Sequence, residues 1–123
     1  MKTPLENYMA LIDGLVSIRS GIHSSWVSDD GAYPDQPENT AINQFLASLN
    51  APARMTLAGM LQEARESGIH DALAYLNDQI ALEGFALVKD GVEIPKEPFG
   101  TELNYDWVCR GEGDEWPDSD IAP

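Results

Sequence analysis

Residues 69–94 read IHDALAYLNDQIALEGFALVKDGVEI, and within them the hydrophobic period changes once. Ile69, Leu73, Leu76 and Ile80 recur every three to four residues, flanked by Ala72 and Tyr75, which predicts an amphipathic helix over about 69–82. Gly84 closes that helix. Phe85-Ala86-Leu87-Val88 and Val92-Glu93-Ile94 then flank Lys89-Asp90-Gly91. An Asp-Gly pair between two short apolar runs predicts a β-hairpin. Pro95 and Pro98 stop the second strand from lengthening. A long helical pattern followed by one small hairpin sets the fold class as mainly α.

Upstream, Thr3-Pro4-Leu5-Glu6 forms a capping box with proline at the first helical position. Leu5, Tyr8, Met9, Ile12, Leu15 and Val16 follow at helical spacing, with Ser20-Gly21 as the expected end or kink. Residues 28–39, rich in Pro, Gly and acids, read as a loop. Asn39 or Thr40 caps a second helix carrying Ile42, Phe45, Leu46 and Leu49. A third helix starts after Asn50-Ala51-Pro52 and carries Met55, Ala58, Leu61 and Gln62, with Gly68 as its left-handed terminator. The tetrapeptide Ser-Gly-Ile-His occurs at 20–23 and again at 67–70, which reads as one capping chemistry used twice. Thr101 starts a short helical piece through Trp107 and Arg110. The expectation is a compact bundle of about four helices, a hairpin near residues 85–94 and an irregular C-terminal segment. Residues 1–116 form one globular domain, and 117–123 an acidic, flexible tail.

Seven Lys and Arg against twenty-one Asp and Glu give a net charge of −14 over 123 residues. Phosphate recognition needs clustered cations, so nucleic acid and anionic membrane surfaces are excluded as direct partners. The longest strictly apolar runs, Tyr8–Ile12 and Ala72–Leu76, are far short of the roughly twenty residues of a membrane span. Lys2, Pro4, Glu6 and Asn7 leave no room for the apolar core of a signal peptide, and Cys109 is the single cysteine. These features predict a cytoplasmic protein.

The chemistry-bearing residues are few. Phosphate-loop, dinucleotide, zinc-protease and nucleophile-elbow motifs are absent from the sequence. His23 and His70 each follow an expected helix end, where a backbone bond accounts for them. Cys109 beside Arg110 could serve as a nucleophile, but its acidic surroundings disfavour the thiolate. The run Glu112, Asp114, Glu115, Asp118, Asp120 lacks the alternation of a calcium loop and is broken by Pro117. No cofactor is expected.

The densest stretch is PFGTELNYDWVCRGEGDEWP, residues 98–117. Together with GIHDALAYLN (68–77) and KDGVEIP (89–95), it resembles a family of short bacterial proteins known only as a domain of unknown function. The resemblance covers roughly the C-terminal half. It implies a stand-alone cytosolic domain and carries over no activity.

Acidity and small size point first to a non-enzymatic interaction protein that binds a basic protein surface, in the manner of inhibitors, immunity proteins or nucleic-acid mimics. The candidate contact residues are Asp106, Trp107, Glu112, Asp114, Glu115 and Trp116. Two alternatives stand beside it: a small enzyme using carboxylates and a histidine, with or without a metal, and a structural subunit that self-associates through the Tyr105–Trp107 surface. Since no ligand set has recognisable spacing, elemental analysis of the purified protein is expected to find no stoichiometric zinc or iron. One equivalent of either would overturn this.

Overall fold

The computed structural model describes residues 1–117; the tail residues 118–123, including Asp118 and Asp120, lie outside the described residues. The described residues are mainly helical, 64% helix, with one two-stranded antiparallel hairpin among them. In order it forms α1 (Pro4–Ser17), the single turn α2 (Ile22–Ser25), α3 (Thr40–Ala47), α4 (Ala51–Leu82), β1 (Val88–Lys89), β2 (Val92–Glu93) and α5 (Leu103–Gly111). Two compact units are distinguished. One is Met1–Arg19 with the chain from Gly68 onward; the other is Ser20–Ser67. None of the described helices is long and apolar enough to cross a membrane.

In the first unit, α1 begins as its capping box dictates. Thr3 Oγ1 accepts the Glu6 N–H at 3.1 Å, and Glu6 Oε1 accepts the Thr3 N–H at 3.0 Å. Tyr8 and Ile12, one turn apart, are buried with Leu73, Ile94, Leu103 and Trp107 in one cluster. α1 packs directly on α5. The hairpin pairs Val88 with Glu93 and Lys89 with Val92. Its turn residues Asp90 and Gly91 have φ of 52° and 79°, the left-handed pair that matches strand twist. Ile94 N–H donates to Leu87 O at 2.8 Å, and these two side chains tie the hairpin to the core while Val88 and Val92 face solvent.

α5 starts without a side-chain cap of its own: Glu102, at its N-cap, makes no capping bond. Asn77 of α4 supplies it instead, Oδ1 accepting the Leu103 N–H at 3.0 Å. Asn77 is buried for this purpose, in the middle of the α4 face that also buries Leu73 and Ile80. Leu76, the expected centre of that face, is half-buried, because the stripe turns on Leu73, Asn77 and Ile80.

In the second unit, α2 continues into a π-helical turn, Trp26–Asp30, which Gly31 ends at φ 70°. The rings of His23, Trp26 and Tyr33 meet with centroids 5.0–5.3 Å apart. Asn43 of α3 grips the backbone of Tyr33 from both sides, accepting its N–H at 2.8 Å and donating to its carbonyl at 3.1 Å. Val27, Leu46 and Ala58 form the core. Asn39 stands at the N-cap of α3 but makes no side-chain capping bond; its amide donates to Pro34 O at 2.9 Å. Asn50 does cap α4, its Oδ1 accepting the Ala53 N–H at 2.9 Å.

The expected third and fourth helices are one. α4 is continuous over 32 residues, and Ser67-Gly68-Ile69-His70 lies inside it, so the repeated tetrapeptide is not a shared helix end. Only its first copy follows a terminus: α1 stops at Ser17, and Gly21 sits at the start of α2. The reason is one of magnitude. A glycine inside a helix costs about 1 kcal/mol relative to alanine, which good helix formers on both sides readily offset. A Cβ at Gly68 would meet nothing within 4 Å, and its φ is not left-handed. Gly68→Ala is therefore expected to stabilise the protein by about 0.5–1 kcal/mol in chemical denaturation. Destabilisation would mean that residue 68 needs a terminator's conformation.

Candidate functional site

The first unit contains a cleft of about 310 Å³ lined by α5, the turn before it and the segment after it. α5 contributes Tyr105, Asp106, Cys109 and Arg110, two neighbouring pairs at i and i+4. The opposite face of the same helix, Leu103 and Trp107, enters the core. Phe99 and Thr101 come from the preceding turn. Asp114, Glu115, Trp116 and Pro117 come from the chain that follows.

That following chain is folded back by the way α5 ends. Gly113 adopts φ 94° and its N–H donates to Arg110 O at 3.1 Å, while the Asp114 N–H donates to Cys109 O at 3.0 Å. This is a Schellman motif with glycine at the left-handed position.

Arg110 then clasps the returned segment to α1. Its Nε and Nη2 donate to the two carboxylate oxygens of Asp13 at 2.8 and 3.2 Å. Its Nη1 donates to Asp114 O at 2.8 Å, and its guanidinium lies 4.8 Å from the Trp116 ring centroid. Trp116 Nε1 completes the clasp, donating to Asp13 Oδ2 at 3.3 Å. The Trp116 ring also stacks on Phe99 at 5.4 Å and meets Tyr8 edge-on at 6.2 Å.

Asp106 forms the inner wall of the cleft. It is 6% exposed, and its two carboxylate oxygens accept from the hydroxyls of Tyr8 and Thr101, each at 2.5 Å. Burial, and then this bond to Asp106, push the Tyr8 phenol well above its ordinary range, so Tyr8 stays a neutral donor. Beside it, the hydrogen bond with Cys109 and the nearby negative charges raise the Tyr105 phenol. The Arg110 hydrogen bond holds the Asp13 carboxyl below the carboxylate range, with Trp116 reinforcing it, and Asp13 in turn raises Arg110. Every one of these shifts confirms the charge the group already carries at neutral pH.

Of the six residues nominated from sequence, the cleft unites Asp106, Asp114, Glu115 and Trp116. Trp107 is 3% exposed and belongs to the core, and Glu112 is exposed outside the cleft lining. Tyr105, at 55% exposure, is the aromatic that faces solvent, and it was not on that list. Its spacing to Cys109 was the available signal. Asp13 and Tyr8 had none, since their partners lie 97 and 98 residues away. No histidine lines the cleft. His70 Nδ1 lies 3.5 Å from Asp71 Oδ1, and its Nε2 lies 3.5 Å from the amide nitrogen of Asn104. Cys109 thus has a tyrosine, not a histidine, as its neighbour. Among the described residues no three His, Cys, Asp or Glu side chains are grouped to hold a metal.

The clasp sets a pH dependence. A carboxyl whose folded-state pKa is depressed contributes stability that is complete above its unfolded value and lost as pH falls through the folded one. Wild type should exceed Asp13→Asn by about 1 kcal/mol near neutrality, a figure discounted for the 44% exposure of the Asp13 side chain. The gap should close below about pH 4. Urea denaturation of both proteins across pH measures it, and a gap that persists in acid would refute the assignment.

No curated protein and no solved structure is significantly similar to the chain. A family model does match it, over residues 1–118, and with that near-complete coverage the chain belongs to a family of unknown function, DUF6547.

Proposed function

We propose that this chain is a small acidic interaction protein that takes a basic side chain of a partner protein into the cleft beside α5. The observation that carries the reading is the composition of the lining. Asp106, Asp114 and Glu115 share it with Phe99, Tyr105 and Trp116, while its one cation, Arg110, is already paired with Asp13. A lysine or arginine entering there meets carboxylates for its charge and ring faces for its stem. Net charge of −14 draws such a partner in and repels acidic competitors. A cytoplasmic location suits the same reading, since Cys109 beside the cleft would remain reduced there.

The enzyme reading is weaker on the same geometry. Acid–base catalysis wants a group poised near the working pH. Here the shifted groups, Asp13 downward, Tyr105 and Arg110 upward, all move away from neutrality.

The test is a titration of isotopically labelled protein with a short lysine- and arginine-containing peptide, followed by NMR. Shifts should concentrate on residues 105–110 and 114–116 and shrink as salt rises, with screening over about 8–10 Å. Asp114→Asn with Glu115→Gln should slow association several-fold, and Tyr105→Ala should speed dissociation roughly five- to tenfold. Trp116→Ala is a poor probe, because Trp116 also packs against the core. Shifts spread evenly over all acidic surface would sink the proposal.

A further inference from the structure

The second unit carries an apolar groove of about 320 Å³ that the cleft reading does not use. α3 supplies Ala41, Ile42, Phe45 and Leu46, α4 supplies Leu57 and Leu61, and Val27 and Tyr33 close its third side. Apart from the Tyr33 hydroxyl, these side chains are entirely hydrocarbon. Phe45 is 56% exposed and Ile42 39%, so the groove is open at its α3 edge. Apolar side chains left open on one face form a surface that a partner can cover.

The segment 27–38, which supplies two of its wall residues, carries acids and no base in its own sequence. It begins in the π-helical turn, supplies Val27 and Tyr33, and also holds Asp29, Asp30, Asp35 and Glu38, these four all exposed. Arg54, the base nearest in sequence, is turned inward, its Nη1 donating to Leu49 O at 2.7 Å and its side chain lying against Gly31. An apolar floor between two helices, with four exposed carboxylates on the segment that supplies two of its wall residues, favours a basic occupant. We infer that this groove docks a basic amphipathic helix of a partner protein, with apolar side chains at i, i+3/i+4 and i+7 on the α3–α4 floor and Lys or Arg toward the 29–38 loop.

A second copy of the chain fits less well. It would bring a second copy of the same acidic segment into one interface, in a molecule of net charge −14, with no base in that segment to offset it. The inference is independent of the cleft, since every groove residue lies in Ser20–Ser67 and every cleft residue outside it.

The experiment uses the full chain and three labelled peptides of about four helical turns. The first is an amphipathic peptide of leucine and lysine. The second has the same composition with its helical register scrambled, and the third replaces lysine with glutamate. Fluorescence anisotropy is expected to show binding of the first, at least tenfold weaker binding of the second, and none of the third. Phe45→Ala should weaken the first at least tenfold, and Ile42→Ser should act in the same direction. Both sites are exposed, so unchanged circular dichroism and melting should accompany the loss. Neutralising Asp29, Asp30, Asp35 and Glu38 to their amides should slow association several-fold. Asp114→Asn with Glu115→Gln should leave the affinity unchanged. Equal binding of the scrambled peptide, indifference to Phe45→Ala, or sensitivity to the cleft variant in its place would overturn the inference. So would sedimentation showing a dimer of the chain that Phe45→Ala dissociates.

Discussion

A chain with three acids for every base must choose where its cations go, and Arg110 is placed where one cation does the most. It satisfies the carboxylate of Asp13 on α1, the carbonyl of Asp114 after α5 and the face of Trp116 at once. The first helix and the last described segment are held by this one guanidinium. The planar fork is what permits it, since a lysine offers a point charge and no second edge for bidentate pairing. The pair is partly exposed, so its worth lies less in raw energy than in position. With Asp13 fixed, Trp116 gains a hydrogen-bond acceptor as well as a place on Phe99 and Tyr8, and the returning chain becomes one wall of a cleft.

Asp106 shows the complementary device. Placing a carboxylate at 6% exposure is costly unless its oxygens are bonded, and two hydroxyls, from Tyr8 and Thr101, do that. Hydroxyl donors hold the carboxylate in place without cancelling its charge. A guanidinium partner would have brought a full positive charge to the inner wall of the cleft; the two hydroxyls bring none. The two carboxylates are thus held by different means: Asp13 by the guanidinium of Arg110, Asp106 by two hydroxyls.

What the sequence made legible was local. Thr3, Pro4 and Glu6 announced α1, Asp90-Gly91 announced the hairpin, and both are present as read because their causes lie within four residues. Gly68 misled because a local cue, glycine after serine, was weighed without the helix formers on either side of it. Asn77 escaped for a different reason. A stripe of apolar residues is what periodicity detects, and the residue at the centre of this one is polar, buried to cap a helix 26 residues onward. Trp107 stands among the candidate contacts read from sequence, yet Leu103 and Trp107, at i and i+4, mark the inner face of α5. That same spacing puts Tyr105 outside. The Asp13–Arg110 and Tyr8–Asp106 bonds span nearly the whole chain, and no short-range pattern foreshadows them.

The acid excess itself bears on function once its placement is seen. On the proposed reading, the placement of the carboxylates relative to the apolar surface matters more than their number. Here Asp114 and Glu115 stand beside Trp116 and Phe99 in the cleft lining, and Asp29, Asp30, Asp35 and Glu38 lie on the segment that supplies Val27 and Tyr33 to the groove. Apolar contact gives affinity that salt does not screen, and charge around it sets which partner arrives and how fast. A protein surface arranged in that way discriminates against acidic partners at the encounter, before any contact is made.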